Sequence, residues 1–420
     1  MDGQTARYFS CERRGVYARQ IRMRFLGSSN RNIPHSIWAL GFVSMFMDIS
    51  SEMIHSLLPV FVVSILGISA TALGLIEGVA EGAVNIVKIF SGALSDWCQK
   101  RKPLALAGYC IAALTKPLFP IANSFGTVFA ARLLDRIGKG VRGAPRDALV
   151  ADLSPSELRG ASYGLRQSLD TFGAFIGPLS AVALMRAFSG DFRAVFWIAV
   201  LPAFMSVGLL ASLVREPTLS NRQKVRLRLH CHELSHFSRP FWIVVVLGAL
   251  FTLARFSEAF LVLRANTLGV SNYDVPLVLV VMNVVYAASS YPAGYLSDCI
   301  DRLAVMTVGG IALMIANIML ARANGIAWLT MGISFWGLHM GFSQGLLAAL
   351  VADNAPAERR GTAFGLFNLI SGIVLFFASA LAGALWDLFG PQAAFYAGAF
   401  FAAIAVSGLV LQSRRHRDQS

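Results

Sequence analysis

The chain has 420 residues, of which 56% are hydrophobic and only 14% charged; its mean hydropathy is +0.61 and its formal net charge +13. This excludes a soluble domain, which has no use for so much apolar residue, and makes a membrane protein the starting class. The five cysteines, at 11, 98, 110, 231 and 299, show no disulfide framework.

Residues 1–35 are basic and lack the apolar core and cleavage site of a signal peptide. They read as a cytoplasmic arm, or as untranslated leader if translation starts at Met23 and not Met1. Twelve apolar runs follow, at 36–66, 71–95, 104–122, 126–150, 162–187, 193–214, 241–268, 275–297, 304–321, 326–351, 363–387 and 393–411. A spanning helix needs about 20 such residues. Lipid offers backbone N–H and C=O groups no partner, so each run is expected to be a helix. The runs divide into a six-helix half at 36–214 and another at 241–412, with a polar linker at 215–240 and a tail at 413–420.

Ionisable residues inside spans are costly and are therefore functional candidates. In the first run Asp48, Glu52 and His55 share a helix face. In the second, Glu77, Glu81, Asn85 and Lys88 do the same. The fourth carries Arg132, Arg136, Lys139, Arg142 and Arg146 on one side, with Asp135 beside them. Arg166 and Asp170 lie one turn apart in the fifth run, and Arg255 and Glu258 at i, i+3 in the seventh. So many cations on one helix must face carboxylates, water or substrate, and the acidic stripes are their complement. Glu52 and Glu81 lie nearest mid-membrane and are the first choices for a proton carrier; a closed ion-pair network that only cements the bundle is the alternative. The second half is paler inside, with Asn283, Tyr286, Trp336, His339 and Gln344 as its polar and aromatic candidates.

The central linker holds His232 and His236, spaced as in some metal pairs, but no second cluster completes a ligand set, and no metal or cofactor is expected. Lys and Arg crowd the tails, the 100–102 loop and the linker, while the alternate loops are nearly free of cations. The positive-inside rule then puts both termini in the cytoplasm of a multi-pass inner-membrane protein. The positive charge suggests contact with anionic lipid, not nucleic acid.

Two loop segments recur at nearly one shift. Gly92-Ala-Leu-Ser-Asp96, with Lys100 and Arg101 behind it, matches Gly294-Tyr-Leu-Ser-Asp298 with Arg302 behind it. Asp152-Leu-Ser-Pro155 through Gly164 matches Asp353-Asn-Ala-Pro356 through Gly365. The chain is therefore a tandem duplication of membrane helices, an architecture of secondary transporters. Asp96 and Asp298, beside cations at helix ends, read as gating latches whose partners include Arg142 or Arg146.

These loops resemble the signature of the major facilitator superfamily, and the resemblance covers residues 36–412. It implies an all-α fold of two six-helix bundles rocking about a central cavity. Gly173, Gly177 and Pro178 in the fifth run are similar to a motif of proton-coupled exporters. The expected function is proton-coupled efflux of a drug or metabolite by a single chain whose partners are the small-molecule substrate, protons and membrane lipids. Uptake of an anionic metabolite is the runner-up, and a non-transporting scaffold or sensor the alternative of another class. No P-loop spacing or nucleophile constellation points to an enzyme.

Overall fold

A computed structural model of the chain describes residues 33–98, 100–155, 158–215, 237–355 and 360–418. Most of the N-terminal arm and the linker histidines His232 and His236 lie outside the described residues. Among the described residues the fold is all-helical, with twelve principal helices. The first, α1, is His35–His55, prolonged by Leu58–Val60 and a π turn at Phe61–Ile65. Then follow α2 (Ala70–Cys98), α3 (Arg101–Thr115, tailed by a tight 3-10 turn Lys116–Leu118), α4 (Phe125–Leu153), α5 (Arg159–Ala187) and α6 (Phe192–Leu213). The second half comprises α7 (Arg239–Ala254, resumed at Ala259–Thr267), α8 (Leu277–Cys299), α9 (Arg302–Arg322), α10 (Ile326–Asp353), α11 (Arg360–Phe389) and α12 (Pro391–Asp418).

The twelve expected runs thus appear as helices, with ends shifted by a few residues. Two departures have local causes. The third run winds into a 3-10 turn at Lys116-Pro117, where the proline cannot donate its backbone hydrogen bond. The seventh is interrupted at 255–258, so Arg255 and Glu258 cap two separate pieces and do not share one helical face.

Because the helix number is even, residues 35 and 413 lie on the same face, called here the near face. Four turns on the opposite, far face contain a left-handed glycine: Gly67, Gly190, Gly269 and Gly390, with φ between +66° and +87°. Such glycines end a helix without a Cβ clash and let the chain reverse at once. Among the described residues, nine helices are long and apolar enough to cross a membrane. The exceptions are α3, which is short, and α2 and α4, whose spans carry the ionisable stripes.

Within the first half, α1 packs on α5 and α6, and α4 on α2 and α3; in the second, α9 packs on α10 and α12, and α8 on α10. The halves meet along α2–α11 and, less closely, α5–α8. Small residues set the first of these seams. A Cβ on Gly74 would stand 2.2 Å from the Ser379 carbonyl oxygen, and one on Gly78 2.9 Å from the Phe376 Cα. Toward the far face one hydrophobic core includes residues of both halves, such as Leu58, Phe61 and Leu73 with Phe260, Leu263 and Trp386. Elsewhere two separate cores remain, one around Ile37, Leu40, Tyr109 and Leu210, the other around Phe241, Val245 and Val351. The molecule is sealed on the far side and parted between the halves on the near side.

Candidate functional site

Helices α2 and α4 run in the same direction, and their charged stripes meet rung by rung. Arg132 Nη2 donates to Glu77 Oε2 at 2.8 Å. One turn further, Arg136 Nε lies 3.0 Å from Glu81 Oε1, and Arg132 also reaches Glu81 at 3.7 Å. Both pairs have the same sequence offset, which follows from two parallel helices of one pitch held in fixed register. Glycines permit the close approach: a Cβ on Gly140 would lie 2.8 Å from that of Val87, and the Ser91 hydroxyl donates to the Gly140 carbonyl at 2.9 Å. Behind the ladder, Lys116 donates to Asp135 at 2.8 Å and to Ser51 at 2.9 Å.

Helix α1 supplies the third wall. His55 bridges Glu52, at 3.5 Å, and Glu77, at 3.8 Å. Glu77, Arg132, Arg136 and Lys116 are buried, whereas the Glu52 and Glu81 side chains keep 22% and 30% of their surface. Glu52 and Glu81 are thus the partly open carboxylates of the group, and Glu77 is sealed. The α5 motif explains the placement of α1. A Cβ on Gly173 would lie 2.7 Å from the Met45 carbonyl oxygen, and one on Gly177 2.7 Å from the Glu52 Cβ. The glycines seat α5 directly on the backbone that carries Asp48 and Glu52. On α5 itself, Arg166 donates to Asp170 at 2.5 Å, and Arg146 adds contacts to Asp147 at 3.2 Å and Asp170 at 3.8 Å.

These walls enclose a cavity of about 310 Å³ between the halves. It is lined by Asp48, Glu52, Asp170, Lys88, Lys139, Arg142 and Arg146 from the first half, and faced by Asn283 and Tyr286 of α8. The Tyr286 hydroxyl donates to Gln344 at 3.1 Å. Trp336 and His339 lie elsewhere: both are buried, and His339 Nδ1 bonds the Gly309 carbonyl at 2.9 Å. Asn85 packs where α2 crosses Gly372 of α11 and does not line the cavity.

The side chains of Asp96 and Asp298, expected as gating latches, lie outside those described. Of the arginines expected as their partners, Arg142 covers the Tyr109 ring at 4.9 Å, and Arg146 lies among Ser44, Asp147 and Asp170. Gly92 packs against Ala144 of α4, but a Cβ on Gly294 would meet nothing. The described residues at these helix ends show a repeated clamp. Arg101 at the start of α3 pairs with Asp152 at the end of α4, at 2.6 Å, and Arg302 at the start of α9 pairs with Asp353 at the end of α10. Both carboxylates stood in the duplicated segments, which was the available signal. Lys100 is exposed beside the first clamp.

The far face is latched across the halves. Asp387 of α11 accepts from the first backbone N–H groups of α2, Ala70 at 3.1 Å and Thr71 at 2.7 Å. Arg186 donates to Asp274 at 2.6 Å, and Ser64 to Asn266 at 3.1 Å.

Among known proteins, the model of the Major Facilitator Superfamily matches residues 40–263 and again 256–420. An MFS-type transporter of Methanocaldococcus jannaschii is 31% identical over 389 residues, 91% of this chain and 96% of that protein. The quinolone resistance protein NorA of Staphylococcus aureus is 23% identical, over 84% of this chain and 90% of its own length. Of solved structures, a mutant form of the nucleoside transporter NupG matches with a TM-score of 0.75 at 12% identity, covering 90% of this chain and 99% of NupG. A bacterial homologue of the lysosomal transporter Spinster, in an inward-facing and unoccupied conformation, matches at 0.72 and 15%, covering 90% of this chain and 96% of that one. Duplicated halves, a shared far-side core and a family match over both halves agree: this chain belongs to the major facilitator superfamily.

Proposed function

We propose that the chain is a proton-coupled secondary transporter that moves a small organic solute by alternating access. The observation that carries this reading is the division among the intramembrane acids. Glu77 and Asp135 are sealed against Arg132 and Lys116, while the Glu52 and Glu81 side chains keep 22% and 30% of their surface, Glu52 on the cavity wall. A group that stays near both water and a fixed cation, and whose surroundings change as the halves rock, meets the requirement for a proton carrier.

With both termini in the cytoplasm of a bacterial-type inner membrane, as the positive-inside rule expects, the cavity of this conformer opens inward. Export of a drug or metabolite is the leading direction, supported by the likeness to NorA. Uptake of an anionic metabolite is the second reading, favoured by the cations that line the cavity. Each half forms its own bundle and the cavity lies within one chain, so the transporter works as a monomer. Flux into proteoliposomes under an imposed pH gradient, over a broad solute panel, tests the reading. Solute movement that responds to the gradient in the wild type and not in Glu52→Gln or Glu81→Gln supports it; movement indifferent to the gradient overturns it.

A further inference from the structure

We propose that the cavity binds a small water-soluble organic anion through Lys88, Lys139 and Arg142. This rests on the transport reading but not on its direction or its coupling ion.

The fixed charges around the cavity do not cancel. Elsewhere in the first half each buried cation has a carboxylate: Arg132 has Glu77, Arg136 has Glu81, Lys116 has Asp135 and Arg166 has Asp170. Of the acids that line the cavity, Asp170 is paired with Arg166, Glu52 has His55 beside it, an ion pair only when the imidazole is protonated, and Asp48 has no cation within ion-pair reach among the described residues. On the other side of the balance stand Lys88, Lys139 and Arg142, all lining the cavity and none in an ion pair among the described residues. The arginine is 4% exposed, and its Nη1 has no hydrogen-bond partner although it is buried. The two lysines are exposed. Three unmatched cations against Asp48 and, with a neutral imidazole at His55, Glu52 leave a local excess of positive charge within the membrane.

Such charges are tolerated at depth only where water or a counter-charge reaches them. The residues that α8 turns toward the cavity, Asn283 and Tyr286, are polar and neutral, so the second half does not supply that counter-charge. Helix α4 is shaped for the purpose: Gly143 lies beside the Lys88 stem, 3.6 Å from its Cε on an added Cβ, and gives it room to lie along the wall. A planar guanidinium over the Tyr109 ring, on a cavity wall shared with two exposed ammonium groups, suits a carboxylate or phosphate group. The volume of about 310 Å³ is at the small end of ligand sites and suits a metabolite, not a two-chain lipid.

The test needs neither a known substrate nor a proton gradient. In a variant lacking native cysteines, Thr171→Cys places a thiol on the cavity wall. Its reaction rates with an anionic and a cationic methanethiosulfonate reagent are compared, in nanodiscs, with those of glutathione in solution. Unmatched cations should favour the anionic reagent by roughly tenfold. Lys88→Gln with Lys139→Gln should remove most of that preference; neither lysine has an ion partner to strand. Sodium citrate should protect the thiol more than tetraethylammonium chloride at equal ionic strength. A preference for the cationic reagent, or equal protection by both salts, overturns the proposal. Anionic preference that disappears when phosphatidylglycerol is added to phosphatidylcholine nanodiscs also overturns it, because the cations then hold a lipid headgroup.

Discussion

Replacing Arg132 by glutamine should damage the fold far more than replacing Arg136, although both arginines are buried and one turn apart. The Glu77 side chain is 1% exposed, and its Oε1 already has no hydrogen-bond partner. Its Oε2 depends on Arg132 at 2.8 Å and on His55 at the looser 3.8 Å. Removing Arg132 leaves a buried carboxylate with half its support, in the class of perturbation that costs about 3–5 kcal/mol. That is roughly two to three and a half powers of ten in the folded-to-unfolded ratio. Glu81, by contrast, keeps 30% of its side-chain surface, so water can take the place of Arg136 and the loss should be about 1 kcal/mol. Thermal unfolding of the purified variants in one detergent ranks them. The double variant Glu77→Gln with Arg132→Gln should recover much of the loss, since it removes the stranded charge with the cation. If Arg132→Gln unfolds no earlier than Arg136→Gln, or if the double variant is no better than the single, the rung is not a structural one.

Asp387→Asn should weaken the far-face latch by about 1 kcal/mol, as loss of a helix cap does, and raise labelling of a far-face cysteine such as Ser64→Cys. Gly177→Ala should cost about 1–3 kcal/mol, because its Cβ would strike the Glu52 Cβ and the Ile49 carbonyl, whereas Gly160→Ala, with open space around it, should leave melting unchanged. Asp96→Asn should slow flux at unchanged membrane abundance; full activity would reduce its loop to a topology signal. Topology itself is checked by single-cysteine labelling: residue 224 should react only from the cytoplasm, and labelling only from outside would invert the assignment.

Much of this was legible in the chain because it is written in periodicity. Glu77 and Glu81, and Arg132 and Arg136, each repeat at one helical turn, so two stripes of opposite sign imply a ladder before any packing is known. The duplicated loops marked both ends of the Arg101–Asp152 and Arg302–Asp353 clamps, though only the arginines were read as functional. What escaped lacks a period. Lys116 sits in a 3-10 turn, where no helical face can be assigned to it. The break in α7 falls at Arg255-Phe-Ser-Glu258, which contains neither glycine nor proline; there the Ser257 hydroxyl accepts from the Ala259 N–H, and the Ser257 N–H donates to Ser379 of α11, a contact that no periodicity shows. The far-face latches join residues from 88 to 317 positions apart and leave no local trace.

The ion ladder also has a consequence for how the protein reaches the bilayer. Each ionic side chain near the middle of a lone spanning helix opposes its release into lipid by roughly 2.5–3.5 kcal/mol. With Arg132, Asp135, Arg136 and Lys139 within two turns, α4 cannot leave the insertion machinery alone, and α2 with Glu77 and Glu81 is little better placed. Neutralisation requires that α2 wait, still sheltered, until α4 has been synthesised, with α3 and its Lys116 carried between them. The three helices therefore enter lipid as one preassembled unit. In ribosome-bound chains that end before α4, a crosslinker placed in α2 should then still reach the insertion machinery, and in chains that include α4 it should not.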